Sequence, residues 1–489
     1  MRREFAINLV LLLAVNLLIK PIYLFGVEVG VQNAVGPSDY GRYGQWLSFA
    51  FLFGVIYDLG LQNFNAVTMS KQPELLRERL PVMLSLKLVA SLGYAVVVVV
   101  AAWLYGIDAQ DWPLVGLAIL YLAVLSLLQL LRTNVAAQGN YRLNSLLSIV
   151  DKVVLLFGVG AILLLPAWRE ALTVERFFIA QIVAVLIACI LAAASTERTG
   201  GERWWRWDPA GARALLKQAL PYGLVLLLTT ALVHIDRVMI EPLSSAGHYE
   251  TGKYLGAYRL LDGINMIGFM FATLLVPMLS KLLAQRSEGH DAGGGVRLLL
   301  QQAGGYIMAL SVGLAAWTSF HASDITALLY DEATASWGQT LAWLMWTAVG
   351  VGLAYVYGSY LLAHQQTRWL NRLFVVALFL NVLLNFLLIP RYGAVGAAGA
   401  TVLTQAIVGF GEYFRSASIE GAWRMGRHGW SVLVYLPAVL GLSYLTHHLE
   451  LSVGLSLASQ VAGCAVIGLG VGLLADPRSL WARAMALRS

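Results

Sequence analysis

The sequence is poor in charge and nearly devoid of cysteine. Only 12% of its 489 residues are Asp, Glu, Lys or Arg, against roughly 25% in soluble domains. That deficit excludes an ordinary soluble enzyme and a disordered chain. The two cysteines, Cys189 and Cys464, sit in separate apolar stretches without metal-ligand spacing, so neither a disulfide framework nor a metal site is implied. Long hydrophilic segments are missing too. The longest connections, around 196–215, 279–301 and 415–429, cannot house a folded catalytic domain.

What is present is 59% hydrophobic residues, arranged in blocks of about 20, the length needed to cross a bilayer core as a helix. Fourteen spans are expected, near 5–30, 44–68, 81–106, 112–136, 143–165, 174–195, 216–240, 250–278, 302–321, 339–363, 370–389, 394–414, 430–447 and 451–474. The first block runs past Phe25 without a small-residue cleavage site and reads as a retained helix. The net charge of +6 is explained by position. Of 33 basic residues, 23 fall on the side of the N-terminus, five in the opposite loops and five within spans. The positive-inside rule then places both termini in the cytoplasm.

Two internal matches point to a repeat. Asp39-Tyr40-Gly41-Arg42-Tyr43-Gly44 parallels Glu250-Thr251-Gly252-Lys253-Tyr254-Leu255, and Gln138-Gly139-Asn140-Tyr141-Arg142-Leu143-Asn144 parallels Gln365-Gln366-Thr367-Arg368-Trp369-Leu370-Asn371. The second pair leads into helices ending at Pro166 and Pro390. Helices 7–12 therefore read as a copy of helices 1–6, in the same orientation and related by an axis along the membrane normal. The expected fold is all-α and integral to the membrane: a six-helix lobe over 1–198, a basic and aromatic cytoplasmic linker over 199–215, a second six-helix lobe over 216–415, and helices 13 and 14 with a basic tail over 416–489.

Charges within spans carry the functional reading, because each costs a few kcal/mol unless it meets a partner or a wet cavity. The cations are Lys20, Lys87, Lys152, Arg237 and Arg259; the acids are Glu28, Asp58, Asp151, Asp236 and Asp262. Arg259 and Asp262 are three residues apart and share a helix face. Asp151–Lys152 and Asp236–Arg237 are neighbours in sequence whose side chains diverge, so pairing across helices is expected. Lys20 has no acid within one turn and lies beside Pro21, about 22 Å along its helix from Phe5. Lys20, Arg237 and Arg259 are thus candidates to bind an anionic headgroup, Arg by its planar fork of donors and Lys as a point charge; interhelical salt bridging is the competing role. Asp58 and Glu28 are candidates for ion or proton coupling, with helix bending or pairing as the alternative for Asp58. Asn381 and Asn385, one turn apart, could meet sugar hydroxyls or hydrogen-bond between helices.

Several patterns imitate other functions. Gly247-His248-Tyr249-Glu250-Thr251-Gly252-Lys253-Tyr254 approaches a phosphate-binding loop, but Tyr254 stands where Ser or Thr must hold Mg²⁺, so no nucleotide is expected. Arg203-Trp204-Trp205-Arg206-Trp207 belongs at the lipid headgroup level rather than on nucleic acid. The glycines 468, 470 and 472 fit a helix contact, and His447-His448 a solvated helix end. No cofactor is called for.

At several of these residues the chain resembles the polysaccharide (O-antigen-type oligosaccharide-lipid) flippases of the multidrug/oligosaccharidyl-lipid/polysaccharide exporter superfamily. The resemblance rests on Asn33-Ala34-Val35-Gly36-Pro37-Ser38-Asp39-Tyr40-Gly41 with Asp58-Leu59-Gly60-Leu61, on Leu220-Pro221-Tyr222-Gly223 through Ile235-Asp236-Arg237-Val238-Met239-Ile240, and on Ile389-Pro390-Arg391-Tyr392-Gly393 with Gly396-Ala397-Ala398-Gly399-Ala400-Thr401. It implies two bundles around a cavity that opens alternately to each side, with helices 1, 7 and 8 along it. It also implies a polyprenyl-pyrophosphate oligosaccharide as cargo, a bacterial inner-membrane location, and membrane lipids and a polysaccharide polymerase or export machinery as partners. The alternatives are a drug or cation antiporter on the same scaffold, which would want unpaired acids in the cavity, and a membrane glycosyl polymerase or ligase, which the short loops disfavour.

Overall fold

In the computed structural model the described residues are 18–61, 75–196, 205–287, 293–421 and 427–474. The start of the first expected span, Arg203, Trp204 and the basic tail lie outside them. Among the described residues every regular element is helical. Among the described residues nine helices are long and apolar enough to cross a membrane, and their most apolar windows bury only 17–61% of their residues inside the protein. The rest stays apolar and uncovered: Leu92, Val96, Trp103, Phe157, Leu164 and Phe379 are all more than 60% exposed. Such faces are solvated by lipid, and the protein is a multi-pass, all-α membrane protein.

The expected spans appear with shifted ends. Gly36 takes φ 83°, a conformation open to glycine, and Pro37 starts the next helix at its first position, where no N–H is needed. The first outer loop, expected around 31–43, thereby shrinks to a single residue between Val29–Val35 and Pro37–Leu52. The helix expected at 44–68 breaks at Phe53 and again after Asp58, where Leu59 is left-handed (φ 51°), and its last part, 62–68, lies outside the described residues. The eleventh and twelfth expected spans are two helices within Thr367–Ile419 that meet at a sharp kink at Gly393 (φ 55°, ψ −132°), where the chain doubles back. π-helical turns interrupt two helices, at Tyr23–Glu28 and Ala354–Gly358. Pro21 lies just before the first, where a missing donor disturbs the regular ladder.

The chain divides into two compact units, Met1–Leu255 and Gly256–Ser489, and the division falls within the helix Gly247–Ser287. In the first unit Val174–Ala194 packs on Trp112–Ala137 and Val150–Leu164, and Pro209–Leu243 packs on Pro37–Leu52. Tyr43, Phe177 and Phe178 form its aromatic centre, with Tyr43–Phe178 centroids 4.6 Å apart. Asp111, buried, accepts from Trp46 Nε1 at 3.0 Å and from Arg42, pinning Pro37–Leu52 to the start of Trp112–Ala137. In the second unit Gly293–Leu329 packs on Ala335–Met345, Arg427–His448 and Val453–Gly470. Tyr435, Val439, Val312 and Ala316 bury the contact with the last two helices.

The first repeated motif meets its copy inside the first unit. A Cβ on Gly41 would fall 1.9 Å from the His248 carbonyl oxygen, and one on Gly252 would fall 1.9 Å from that of Pro37. Gln32 Nε2 donates to the Gly252 carbonyl at 2.9 Å, closing the contact with a polar bond. Backbone cannot yield as a flexible side chain does, so Gly41→Val and Gly252→Val are each expected to lower stability by about 1–3 kcal/mol or more. Thermal melting of the detergent-purified variants measures this; Gly116→Val, at a position with open space around it, should melt as the parent does.

Candidate functional site

The first helix carries the centre of the site. Its π turn sets Glu28 to accept from the hydroxyls of both Tyr23 and Tyr40. Tyr23 also offers its ring face to Lys152, whose Nζ is 4.8 Å from the ring centroid and 3.0 Å from Asp151 Oδ2. Lys20, half-buried one turn before the π segment, lies within electrostatic range of Arg132, Lys152 and Asp151. It makes no ion pair or hydrogen bond among the described residues. Arg132 Nε is buried and likewise has no hydrogen-bond partner. Residues 18–35, Trp112–Ala137 and Val150–Leu164 thus gather three cations around Asp151 and Glu28. Positive charge is in excess, and Asp151 is already engaged by Lys152.

Sequence reasoning found Lys20 and Lys152 but missed Arg132. Arg132 sits near the end of its expected span and counts there with the flanking charges. The available signal was its position inside an apolar run ending at Ala137. Pairing across helices was expected for Asp151 and Lys152; instead these neighbours join each other at 3.0 Å, and the cross-helix element is the lysine over Tyr23.

The other candidates fall elsewhere. Arg237 is half-buried on Pro209–Leu243 and electrostatically coupled to His234, whose ring stacks on Phe51 at 4.5 Å and 12°. Its neighbour Asp236 accepts from Tyr254 Oη at 3.0 Å. Arg259 is buried in the second unit. Asp58 forms a fully buried ion pair with Lys87, Nζ to Oδ1 3.1 Å, its side chain 4% exposed and that of the lysine 3%. Asn381 and Asn385 are buried, with Asn385 Nδ2 donating to Asn381 Oδ1 at 3.1 Å and Asn381 Nδ2 to Thr404 Oγ1 at 3.4 Å, across the kink at Gly393. A further acid, Glu412, is 1% exposed and its Oε2 has no hydrogen-bond partner. Its place at the end of the twelfth expected span hid it among flanking charges.

The fold is similar to those of solved membrane transporters, one of them assigned to the MOP superfamily. It resembles an inward-facing multidrug resistance MATE family transporter of that superfamily at 12% identity and TM-score 0.63, covering 82% of this chain and 94% of that one. It resembles the lipid II flippase MurJ in its inward closed conformation at 12% identity and TM-score 0.62, covering 96% and 99%. No curated protein matches the chain in sequence. The profile of the polysaccharide biosynthesis protein family matches residues 6–283, more than half of the chain, and the protein belongs to that family.

The Asp58–Lys87 pair gives a separable prediction. Asp58→Asn strands a buried ammonium and should cost about 3–5 kcal/mol. Replacing both residues, Asp58→Leu with Lys87→Met, should restore most of that loss. Melting temperatures of the two variants measure it. Transport by the stable double variant shows whether the pair only holds Gly54–Asp58 against Leu75–Tyr105.

Proposed function

We propose that the protein is a secondary transporter that flips a lipid-linked oligosaccharide, of the polyprenyl-pyrophosphate class, from the cytoplasmic to the outer leaflet by alternating access. The observation that carries this reading is the excess of cations around Lys20. A doubly charged headgroup requires donors that are not already neutralised, and Lys20 and Arg132 are such donors. Arg237 and Arg259 serve as further anion contacts along the route of the cargo. The π turns at Tyr23–Glu28 and Ala354–Gly358 supply points where helices bend, and the Gly41–Gly252 contact is one face that parts and re-forms.

On this reading the protein acts in a bacterial inner membrane, with both termini in the cytoplasm, as part of cell-surface polysaccharide synthesis alongside a polymerase or export machinery. No covalent chemistry and no nucleotide are needed. An inside-negative potential already favours outward movement of an anion by about 2.3 kcal/mol per charge per 100 mV. Asn381 and Asn385 act as the rigid pivot beside the Gly393 kink, with sugar contact a role that exposure in another state would allow.

One observation favours a second reading, a drug or cation antiporter on the same fold. Glu412 is a buried carboxylate whose Oε2 lacks a hydrogen-bond partner, the kind of acid a cation exchanger uses. Asp58, which Lys87 neutralises, and Glu28, held by two tyrosines, are less suited to it.

Reconstituted vesicles carrying a labelled polyprenyl-pyrophosphate oligosaccharide separate the readings. For the flippase, label crosses without ATP, Lys20→Gln and Arg132→Gln each cut the rate tenfold or more at equal folded protein, and Glu412→Gln has little effect. Full transport by Lys20→Gln and Arg132→Gln overturns the headgroup assignment. Proton-driven cation efflux abolished by Glu412→Gln, with no movement of label, establishes the antiporter.

A further inference from the structure

His321, Asp324 and His447 bring one ligand atom each to within 4.8 Å of one another in the second unit. His321 and Asp324 are three residues apart on one face of Gly293–Leu329, and His447 comes from the last turn of Arg427–His448. The hydrogen bonds around His321 favour one tautomer. Thr446 Oγ1 donates to the Ser443 carbonyl at 2.9 Å, so its oxygen is left to accept from His321 Nε2, 3.4 Å away. With the ring proton on Nε2, as this bond favours, Nδ1 is left as a lone pair. Nδ1 faces Asp324 Oδ2 at 3.8 Å. In that tautomer the two acceptors repel unless a proton or a metal cation lies between them. The third donor, His447, stands edge-on to His321 with ring centroids 5.3 Å apart and planes at 80°.

We propose that His321 Nδ1, Asp324 and His447 bind a divalent transition metal of the zinc class, with water completing a tetrahedral shell. Two imidazoles and one carboxylate are a zinc donor set, and the Nε2–H···Thr446 bond is the outer-shell support that fixes a ligating ring. Donors on a tetrahedral zinc sit about 3.3 Å apart. Asp324 and His447 are exposed and can swing the remaining distance, while buried His321 is the fixed point. The end of Arg427–His448 adds the negative pole of its helix dipole to the site. The metal joins the thirteenth expected helix to the ninth at one end, beyond the apolar contact of Tyr435 and Val439 with Val312 and Ala316. It thereby gives the last helices a role, as a stapled extension of the second unit.

The test uses the full chain in detergent, stripped with a chelator and then equilibrated with ZnCl₂ alone. The parent protein should retain about one zinc ion per chain, and its melting temperature should rise by several degrees with zinc but not with Mg²⁺. His447→Ala, at an exposed position, should keep the zinc-free melting temperature and lose both the bound zinc and the shift. Asp324→Asn should weaken binding tenfold or more, and His321→Gln should abolish it. The proposal is overturned if the parent holds no more zinc than His447→Ala, or if Mg²⁺ stabilises both equally.

Discussion

The dominant constraint is the cost of holding a charge where water is scarce. In an interior built from lipid-facing helices, a charged side chain must find an opposite charge, a ring of hydroxyls or a ligand. Most of this protein's buried charges are answered internally. Lys87 meets Asp58, Arg42 meets Asp111, and Tyr23 with Tyr40 surround Glu28. Each such partnership joins two or more segments, so the same interactions that neutralise charge also fix which helices are neighbours.

Against that background the Lys20 cluster is an exception, and the proposed function rests on it. Arg132 and Lys152 add positive charge beside Lys20, and the nearest acid, Asp151, is taken by Lys152. A purely structural arrangement would lower its energy by replacing one cation with a neutral residue. Retaining all three makes physical sense if an anion arrives to complete the set. The π turn that follows Pro21 places Tyr23 and Glu28 at this point, so the irregular backbone and the uncompensated charge coincide. The proposed zinc site follows the same logic with the sign reversed, since a carboxylate and two imidazoles gather there to receive a cation.

Much of the fold was legible because apolar length and period are local properties. The described helices appear near their expected places, and the breakers acted as their chemistry dictates: Gly36 and Pro37 end one helix and start the next, and Gly393 separates the eleventh expected helix from the twelfth. The shift of the second helix from 44 back to 37 has a simple cause. Asp39, Arg42 and Tyr43 look like loop residues by polarity, yet Asp111, Gln181 and neighbouring aromatic rings give their polar groups partners within a helix. Half of the candidate cluster was legible too. Lys20 could be singled out because it lacks an acid within a turn, whereas Arg132 and Glu412 could not, since a charge near a span end looks the same whether it points to water or inward.

The sequence alone determined that this chain lives in a membrane as a bundle of helices, and that a handful of charges inside it need explaining. Hydropathy and breaker residues act over one or two turns and require no knowledge of neighbours. Only the tertiary structure decided which charges are spent on each other. Asp58 and Lys87 are 29 residues apart, Lys20 and Arg132 more than a hundred, and His321 and His447 lie on helices separated by a hundred residues. Coulomb energy depends on distance in space and on what excludes water, and neither is written in the order of the chain.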